Sequence, residues 1–207
     1  SAVTHKPAMM EHTAAATVAH TGLTALGAVD ALEPSAEQVI VVLGATGGVG
    51  SWFTQHAVLG GATVVALTRP ENAAYAKSLG ATEVLDYTAG DVIEQLHARF
   101  PDGIDGLADF SGNTQMVEQL AALVRTGGRV SSSAIKLDAD AYAARGISAM
   151  QANRVDQRRL PDLVRLIRAG RIKPPAAQVV PLDDAAAALA QVDSGHTRGK
   201  IVLAISD

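Results

Sequence analysis

The sequence predicts an α/β chain: a doubly wound parallel sheet of six strands with helices on both faces. Three observations lead there. Short runs rich in β-branched residues alternate with longer helical stretches along most of the chain. The first run, Val39-Ile40-Val41-Val42-Leu43, is continuously apolar, as a strand covered on both faces must be. Glycines punctuate the ends of the helical stretches, at Gly60-Gly61, Gly80 and Gly103. Strand–helix alternation at this spacing gives parallel strands joined by right-handed crossovers.

Each element follows from its local pattern. After the strand at 39–43 comes a glycine-rich turn at 44–50 and a helix over 51–59. A second strand, 63–67, leads to a short helix over 72–79. A third strand spans 83–86, followed by a helix over 91–100 and a turn at Pro101-Asp102-Gly103. A fourth strand is expected at 104–109, a helix at 113–124 and a fifth strand at 129–132, with 146–150 as the sixth. The front, 11–32, is Ala-rich and helical, with a break expected near Thr21-Gly22. In the tail, helices over 156–169 and 182–192 flank the Gly170 and Pro174-Pro175 break, and a last strand covers 201–205.

Composition narrows the class. The chain has 207 residues, 48% apolar and 18% charged, which suits a packed core rather than disorder. The net charge is −4, from 17 Lys and Arg against 21 Asp and Glu, so nucleic acid is not an expected partner. Cysteine is absent, which excludes disulfides, thiolate metal sites and a Cys nucleophile within this chain. No apolar run approaches the roughly 18 residues of a membrane span. The first residues, Ser-Ala-Val-Thr-His-Lys-Pro, lack a signal-peptide core, and the expected setting is soluble and cytoplasmic. Aromatics are only 3% while glycines number 19, which points to tight helix–sheet packing rather than an aromatic-lined pocket.

The strongest chemical signal is Leu43-Gly44-Ala45-Thr46-Gly47-Gly48-Val49-Gly50, which follows the first strand and opens a helix. In that context a Gly-rich turn is a phosphate cradle. Gly47 admits a pyrophosphate close to the backbone, where free N–H groups and the helix dipole meet its charge. Gly50 lets the helix pack close to the strand. Ala45 stands where the strict G-x-G-x-x-G fingerprint has its first glycine. The tip of the second strand, Leu67-Thr68-Arg69-Pro70, carries no acid to bind the ribose hydroxyls of NAD. Arg69 instead suits a 2′-phosphate, with Thr68 and Asn72 as further donors, and Glu71 close by. The expected cofactor is therefore NADP(H) rather than NAD(H).

Rival nucleotide and hydrolase patterns fail on particular residues. A short-chain reductase needs Tyr-x-x-x-Lys, whereas Tyr142 is followed at that spacing by Gly146 and Tyr75 by Leu79. The serine elbow G-x-S-x-G and the P-loop Gly-Lys-Ser/Thr are not supplied by Gly50-Ser51-Trp52.

Four segments in order resemble the medium-chain dehydrogenase/reductase superfamily, most closely its quinone-oxidoreductase-like branch. They are His20-Thr21-Gly22-Leu23-Thr24-Ala25-Leu26, the turn Gly44–Gly50, Leu79-Gly80-Ala81 with Val84-Leu85-Asp86-Tyr87, and Gly195-His196-Thr197-Arg198-Gly199-Lys200-Ile201-Val202-Leu203. The Ala45 turn suits that branch. The resemblance implies a Rossmann dinucleotide-binding domain over 34–152, an interdomain helical segment over 1–33 and a C-terminal return segment over 153–207. Full-length members carry a GroES-like catalytic domain ahead of this stretch. The chain thus reads as an excised piece or a naturally truncated member, and an N-terminal Ser favours the former.

By resemblance, Thr24 approaches the nicotinamide end and Thr46, Gly47, Gly48 and Val49 cradle the pyrophosphate. Thr68, Arg69 and Asn72 hold the adenosine phosphate, Tyr87 lies on the adenine side, and Phe110 and Ser111 border the ribose. Ser132 and Ser133 fall near the nicotinamide. His20 stands where zinc-containing relatives place a ligand, but a lone His is better read as a polar cleft residue, and no metal is expected in this chain. The implied activity is hydride transfer between NADPH and a quinone, an enal or enone, or an alcohol or carbonyl, with the small-molecule substrate bound only with the missing domain and no catalytic residue assignable here. The alternative is a nucleotide-binding or assembly module without turnover. A homodimer through the edge near Gly146–Met150 is expected.

Overall fold

In the computed structural model of the chain, residues 3–152, 155–195 and 197–205 are described. His196 and the first two positions of the 153–207 segment lie outside them. Six strands form one parallel sheet in the order β3-β2-β1-β4-β5-β6. They are β1 (Val39–Leu43), β2 (Thr63–Thr68), β3 (Glu83–Asp86), β4 (Ile104–Asp109), β5 (Val124–Ser132) and β6 (Ser148–Gln151). The doubly wound six-stranded sheet read from the sequence is the observed one. The order in which successive strands are added reverses beside β1, so a crevice opens beyond the carboxyl ends of β1 and β4.

Two apolar layers cover the sheet. On one face lie α2 (Ala19–Leu32), α3 (Gly48–Leu59), α4 (Ala73–Ser78) and α8 (Leu160–Arg168), which enclose Leu26, Ile40, Val42, Trp52, Phe53 and Leu163. On the other lie α5 (Val92–Arg99), α6 (Thr114–Ala121) and α7 (Ala139–Ala143), which enclose Val41, Leu43, Leu96, Leu107 and Leu120. Alternate β1 residues thus serve opposite layers, as a pleated strand requires. Ala25, Ala28, Ala57 and Ala66 are completely buried, so helices approach the sheet through small side chains. Short acidic or amide side chains set several helix starts: Asp91 accepts from the Ile93 and Glu94 N–H groups, Asn113 from Met116 and Asp138 from Ala141.

Several boundaries depart from the sequence reading, each for a visible reason. The front helix breaks at Thr17 and Val18, between α1 (His12–Ala16) and α2, and not at Thr21-Gly22. Gly22 stays helical because its missing side chain makes room for Leu163, whose Cδ1 would lie 2.7 Å from a Cβ there. The helix expected over 113–124 stops at Ala121, because Val124 already pairs with Ile104. Strand β5 consequently begins earlier than expected and shifts register against Ile104 and Gly106. The tail forms a second, two-stranded parallel sheet of β7 (Ala177–Pro181) and β8 (Lys200–Ala204), linked through α9 (Ala185–Asp193). The sequence reading contained β8 and α9 but not β7, nor α7.

His56 on α3 carries a pH consequence. Its Nδ1 lies 2.8 Å from the Trp52 carbonyl oxygen, and Nε2 is buried with no hydrogen-bond partner among the described residues. Burial holds its pKa below the usual 6.5, and the nearby Arg159 charge acts the same way, against the opposing pull of the Trp52 carbonyl. The folded chain therefore refuses a proton that the unfolded chain accepts. Stability present above the free-imidazole value is lost as pH falls through it toward the lower folded value. The urea midpoint should drop between pH 7.5 and 5.5, and His56→Gln should reduce that drop; an unchanged drop in the variant would remove His56 as its source.

Candidate functional site

The site grows from the turn between β1 and α3. Gly44 has φ +78°, a left-handed conformation that glycine adopts without strain. A Cβ there would also lie 3.0 Å from the Phe110 carbonyl carbon. The Gly47 N–H donates to the Gly44 carbonyl over 3.1 Å, and Gly47 caps α3 in an extended conformation. A methyl group on Gly50 would collide with the Gly44 carbonyl, so the helix sits directly on its own turn. The first-turn N–H groups at Gly48 and Val49 have no acceptor within a helix and face outward with the positive dipole end.

Neighbouring strand tips close the rest. Thr46 Oγ1 and Thr68 Oγ1 stand 3.2 Å apart, both buried, and tie the turn to the end of β2. Arg69 follows, its Nε donating to the Tyr87 hydroxyl over 3.4 Å. Thr88 donates to Asp86 from both N–H and hydroxyl, which holds that carboxylate below the usual range, and the Arg69 charge adds to this. Across the crevice the Phe110 N–H donates to the Leu43 carbonyl over 2.9 Å, and the Phe110 ring leans on Phe53.

Asp109, fully buried at the tip of β4, organises the opposite wall. One carboxylate oxygen accepts from the Ser111 N–H and hydroxyl and the Gly112 N–H; the other accepts from the Ser132 hydroxyl over 2.7 Å. A buried carboxylate requires such a complement of donors.

The return segment supplies a third wall. The Gly199 N–H donates to the Thr46 carbonyl over 2.8 Å, and Gly47 and Gly199 form a parallel bridge. The Lys200 N–H donates to Ala176, whose own N–H donates to the Tyr75 hydroxyl. Gln55 exchanges two hydrogen bonds with the Lys173 backbone, and the Arg198 guanidinium lies 5.6 Å from the Tyr75 ring centre. Together these walls enclose an open cavity of about 540 Å³, within the range of small-molecule sites.

Ten of the thirteen expected binding residues line this cavity: Thr46, Gly47, Gly48, Val49, Thr68, Arg69, Asn72, Tyr87, Phe110 and Ser111. Thr24 does not. It is buried in α2 with its hydroxyl donating to the His20 carbonyl, and Thr21 lines the cavity one turn earlier. Ser132 and Ser133 are also absent from the lining. The Ser132 hydroxyl is engaged by Asp109 and by the Ala134 and Ile135 N–H groups, and the Ser133 N–H donates to the Asp109 carbonyl. The lining adds Asn113, Thr197, Gly199 and Lys200, which sequence reasoning missed. Asn113 caps the helix after β4, a signal that was available. Lys200 lies far along the chain from the turn it reaches; its segment 195–203 carries the family resemblance, but nothing in that pattern shows that the side chain folds back over the turn.

Comparison with known proteins places this geometry. A family model described as zinc-binding dehydrogenase matches residues 79–203. The chain is 29% identical to the mitochondrial NAD(P)H oxidoreductase RTN4IP1 of Homo sapiens, over 97% of this chain and 58% of that protein. The chain thus spans about three fifths of the length of the curated relatives it matches. The crystal structure of an NAD-dependent alcohol dehydrogenase superposes with TM-score 0.87 at 27% identity, covering 98% of this chain and 62% of that one. The quinone oxidoreductase from Coxiella burnetii shares the fold with TM-score 0.86 at 23% identity, covering 98% and 64%. With the Gly44–Gly50 turn at the switch point of the sheet and the family match over most of the second half, the chain belongs to the zinc-binding dehydrogenase family of the medium-chain dehydrogenase/reductase superfamily.

Proposed function

We propose that this chain is the NADP(H)-binding domain of a medium-chain oxidoreductase. The observation that carries the reading is the cavity itself, which runs from the glycine turn at the start of α3 to Arg69 at the tip of β2. A dinucleotide fits that course: pyrophosphate over Gly47, Gly48 and Val49, adenosine phosphate beside Thr68, Arg69 and Asn72, adenine toward Tyr87, ribose against Phe110 and Ser111. Thr24, Ser132 and Ser133 support the nicotinamide end from behind the lining. The choice of NADP(H) over NAD(H) rests on Arg69, because relatives are named for both NAD(P)H and NAD. Glu71 also lines the cavity and tempers the positive field there.

When bound, the dinucleotide supplies a hydride to a quinone, an activated C=C bond or a carbonyl. The chain's own contribution is positional. First-turn N–H groups of α3 orient the anionic middle of the cofactor, Arg69 anchors one end, and the buried tips of β1 and β4 keep water from the back of the site. The family's name refers to zinc. Among the described residues no group of three His, Cys, Asp or Glu side chains is placed to hold a metal ion, and His20 is exposed on α2, so no step is assigned to zinc in this chain.

Three further proposals complete the picture. Residues 1–33 form the interdomain segment, 34–152 the dinucleotide-binding domain and 153–207 the return segment, with α2 of the first packed into the core of the second. A second copy pairs along β6, the sheet edge, where Met150 is 41% exposed. The working compartment is the cytoplasm, although RTN4IP1 is named as mitochondrial, and imaging of the tagged full-length protein decides between the two addresses.

Calorimetric titration should show that the chain binds NADP⁺ more tightly than NAD⁺, and that Arg69→Glu weakens NADP⁺ at least tenfold while changing NAD⁺ little. Equal losses would overturn the role of Arg69. The full-length protein should oxidise NADPH with quinones or enals; binding without turnover across that panel would favour a binding or assembly module. Sedimentation should give a dimer, and a monomer at high concentration would overturn the edge pairing.

A further inference from the structure

Tyr75 lies on α4, outside the cavity lining, yet three contacts converge on its side chain. Its hydroxyl donates to the Ser51 hydroxyl over 3.3 Å and accepts from the Ala176 N–H over 2.9 Å. The Arg198 guanidinium lies 5.6 Å from its ring centre, a cation–π contact. Both hydroxyl partners bear on the phosphate turn. Ser51 is completely buried near the start of α3, and its N–H donates to the Gly47 carbonyl over 2.9 Å. The Ala176 carbonyl accepts from the Lys200 N–H, and a Cβ on Gly199 would collide with that carbonyl oxygen. Gly199 in turn donates to the Thr46 carbonyl over 2.8 Å. The Lys200 stem packs on the same turn, where a Cβ on Gly48 would stand 2.5 Å from its Cδ. These contacts close a ring: Thr46 to Ser51 along the chain, Ser51 to Tyr75, Tyr75 to Ala176, Ala176 against Gly199, and Gly199 back to Thr46. Tyr75 spans the ring between α3 and the return segment. Its hydroxyl serves as donor and acceptor at once, so its loss strands the buried Ser51 hydroxyl and the Ala176 N–H together.

Resting on the dinucleotide reading, we infer that Tyr75 is a positioning residue for the cofactor. It does not line the cavity; it sets the spacing between the start of α3 and the Thr197 and Gly199 stretch of the return segment, two walls that do. Binding depends on that spacing because a ligand held from two sides gains only when both sides stand in place. A residue that acts through the walls at the glycine turn affects NADP(H) and NAD(H) alike, since both carry the pyrophosphate. It leaves untouched a ligand confined to the adenosine phosphate end, beside Thr68, Arg69 and Asn72. Tyr75 therefore predicts a pattern opposite to that of Arg69.

The test is Tyr75→Phe, which keeps the ring beside Arg198 and removes the hydroxyl. Titration should show NADP⁺ and NAD⁺ each bound about fivefold more weakly, the scale of one neutral hydrogen bond. Adenosine 2′-phosphate should bind as it does to the wild type. The Ala176 amide should exchange faster in the unliganded variant. A merely structural role lowers the melting midpoint but leaves all three affinities in place, and overturns the inference. An equal loss for adenosine 2′-phosphate marks a general loosening of the site and overturns it too, as does a loss confined to NADP⁺. If Tyr75→Phe does not fold, Ser51→Ala, which cuts the bridge from the α3 side, is read by the same criteria. A wild-type chain that binds neither dinucleotide overturns the dinucleotide reading itself, whereas failure confined to the variants overturns this inference alone.

Discussion

The approach of α3 to its own entry turn sets the geometry of everything around the site. Gly50 has no room for a side chain against the Gly44 carbonyl, and Gly44 has none against Phe110. The helix therefore begins directly above the end of β1 instead of a side chain's width away. Its first-turn N–H groups open into the crevice between β1 and β4, the place where a doubly wound sheet leaves strand ends uncovered. Three other segments are positioned by reference to this turn: β2 through Thr46 and Thr68, β4 through Leu43 and Phe110, and the return segment through Thr46 and Gly199.

The second fixed point is Asp109. Its carboxylate is fully buried, and its oxygens accept from donors on the loop after β4 and from Ser132 at the end of β5. A buried charge so satisfied is costly to disturb, since loss of the carboxylate strands several donors at once. This explains why Ser132 belongs to the scaffold and not to the lining. Strand-end serines in such folds face two demands, to meet a ligand or to tie neighbouring loops, and one hydroxyl flanked by Asp109, Ala134 and Ile135 has met the second.

Legibility in the sequence tracked the range of the interactions involved. Strands β1, β3 and β4 are readable to the residue because each is a short segment set between turn residues and a following turn or helix signal, and β1 is in addition continuously apolar. The phosphate turn was readable because its requirements, glycines at a strand–helix junction, lie within eight residues. Failures came where a distant contact overrides a local pattern. Thr21-Gly22 looks like a helix break, but the Thr21 hydroxyl bonds back to the Thr17 carbonyl and Leu163 fills the space at Gly22, so the helix continues. Residues 122–124 continue a helical pattern, but pairing with β4 claims Val124 for the sheet. Strand β7 has mostly exposed residues and hence no burial pattern to read. For the site, the strand tips on the adenosine side were legible, while Lys200 was not, because nothing local to it indicates that it folds back over Gly48.

The three walls of the cavity are unequally held, and this bears on how the site works. The first two belong to a six-stranded sheet covered on both faces. The third rests on two strands and α9, with Val179, Leu189 and Val192 all about half exposed or more. A two-stranded sheet is marginal by itself. What holds this one against the domain is largely polar: Gln55 to Lys173, Tyr75 to Ala176, Thr46 to Gly199, and the Arg198 guanidinium over Tyr75. Each of these bonds contributes on the order of 1 kcal/mol, far less than the burial that fixes α3. The return segment is therefore the wall whose attachment to the domain is weakest. The phosphate turn is thus the rigid part of the site, and the return segment is the wall held by the fewest buried contacts.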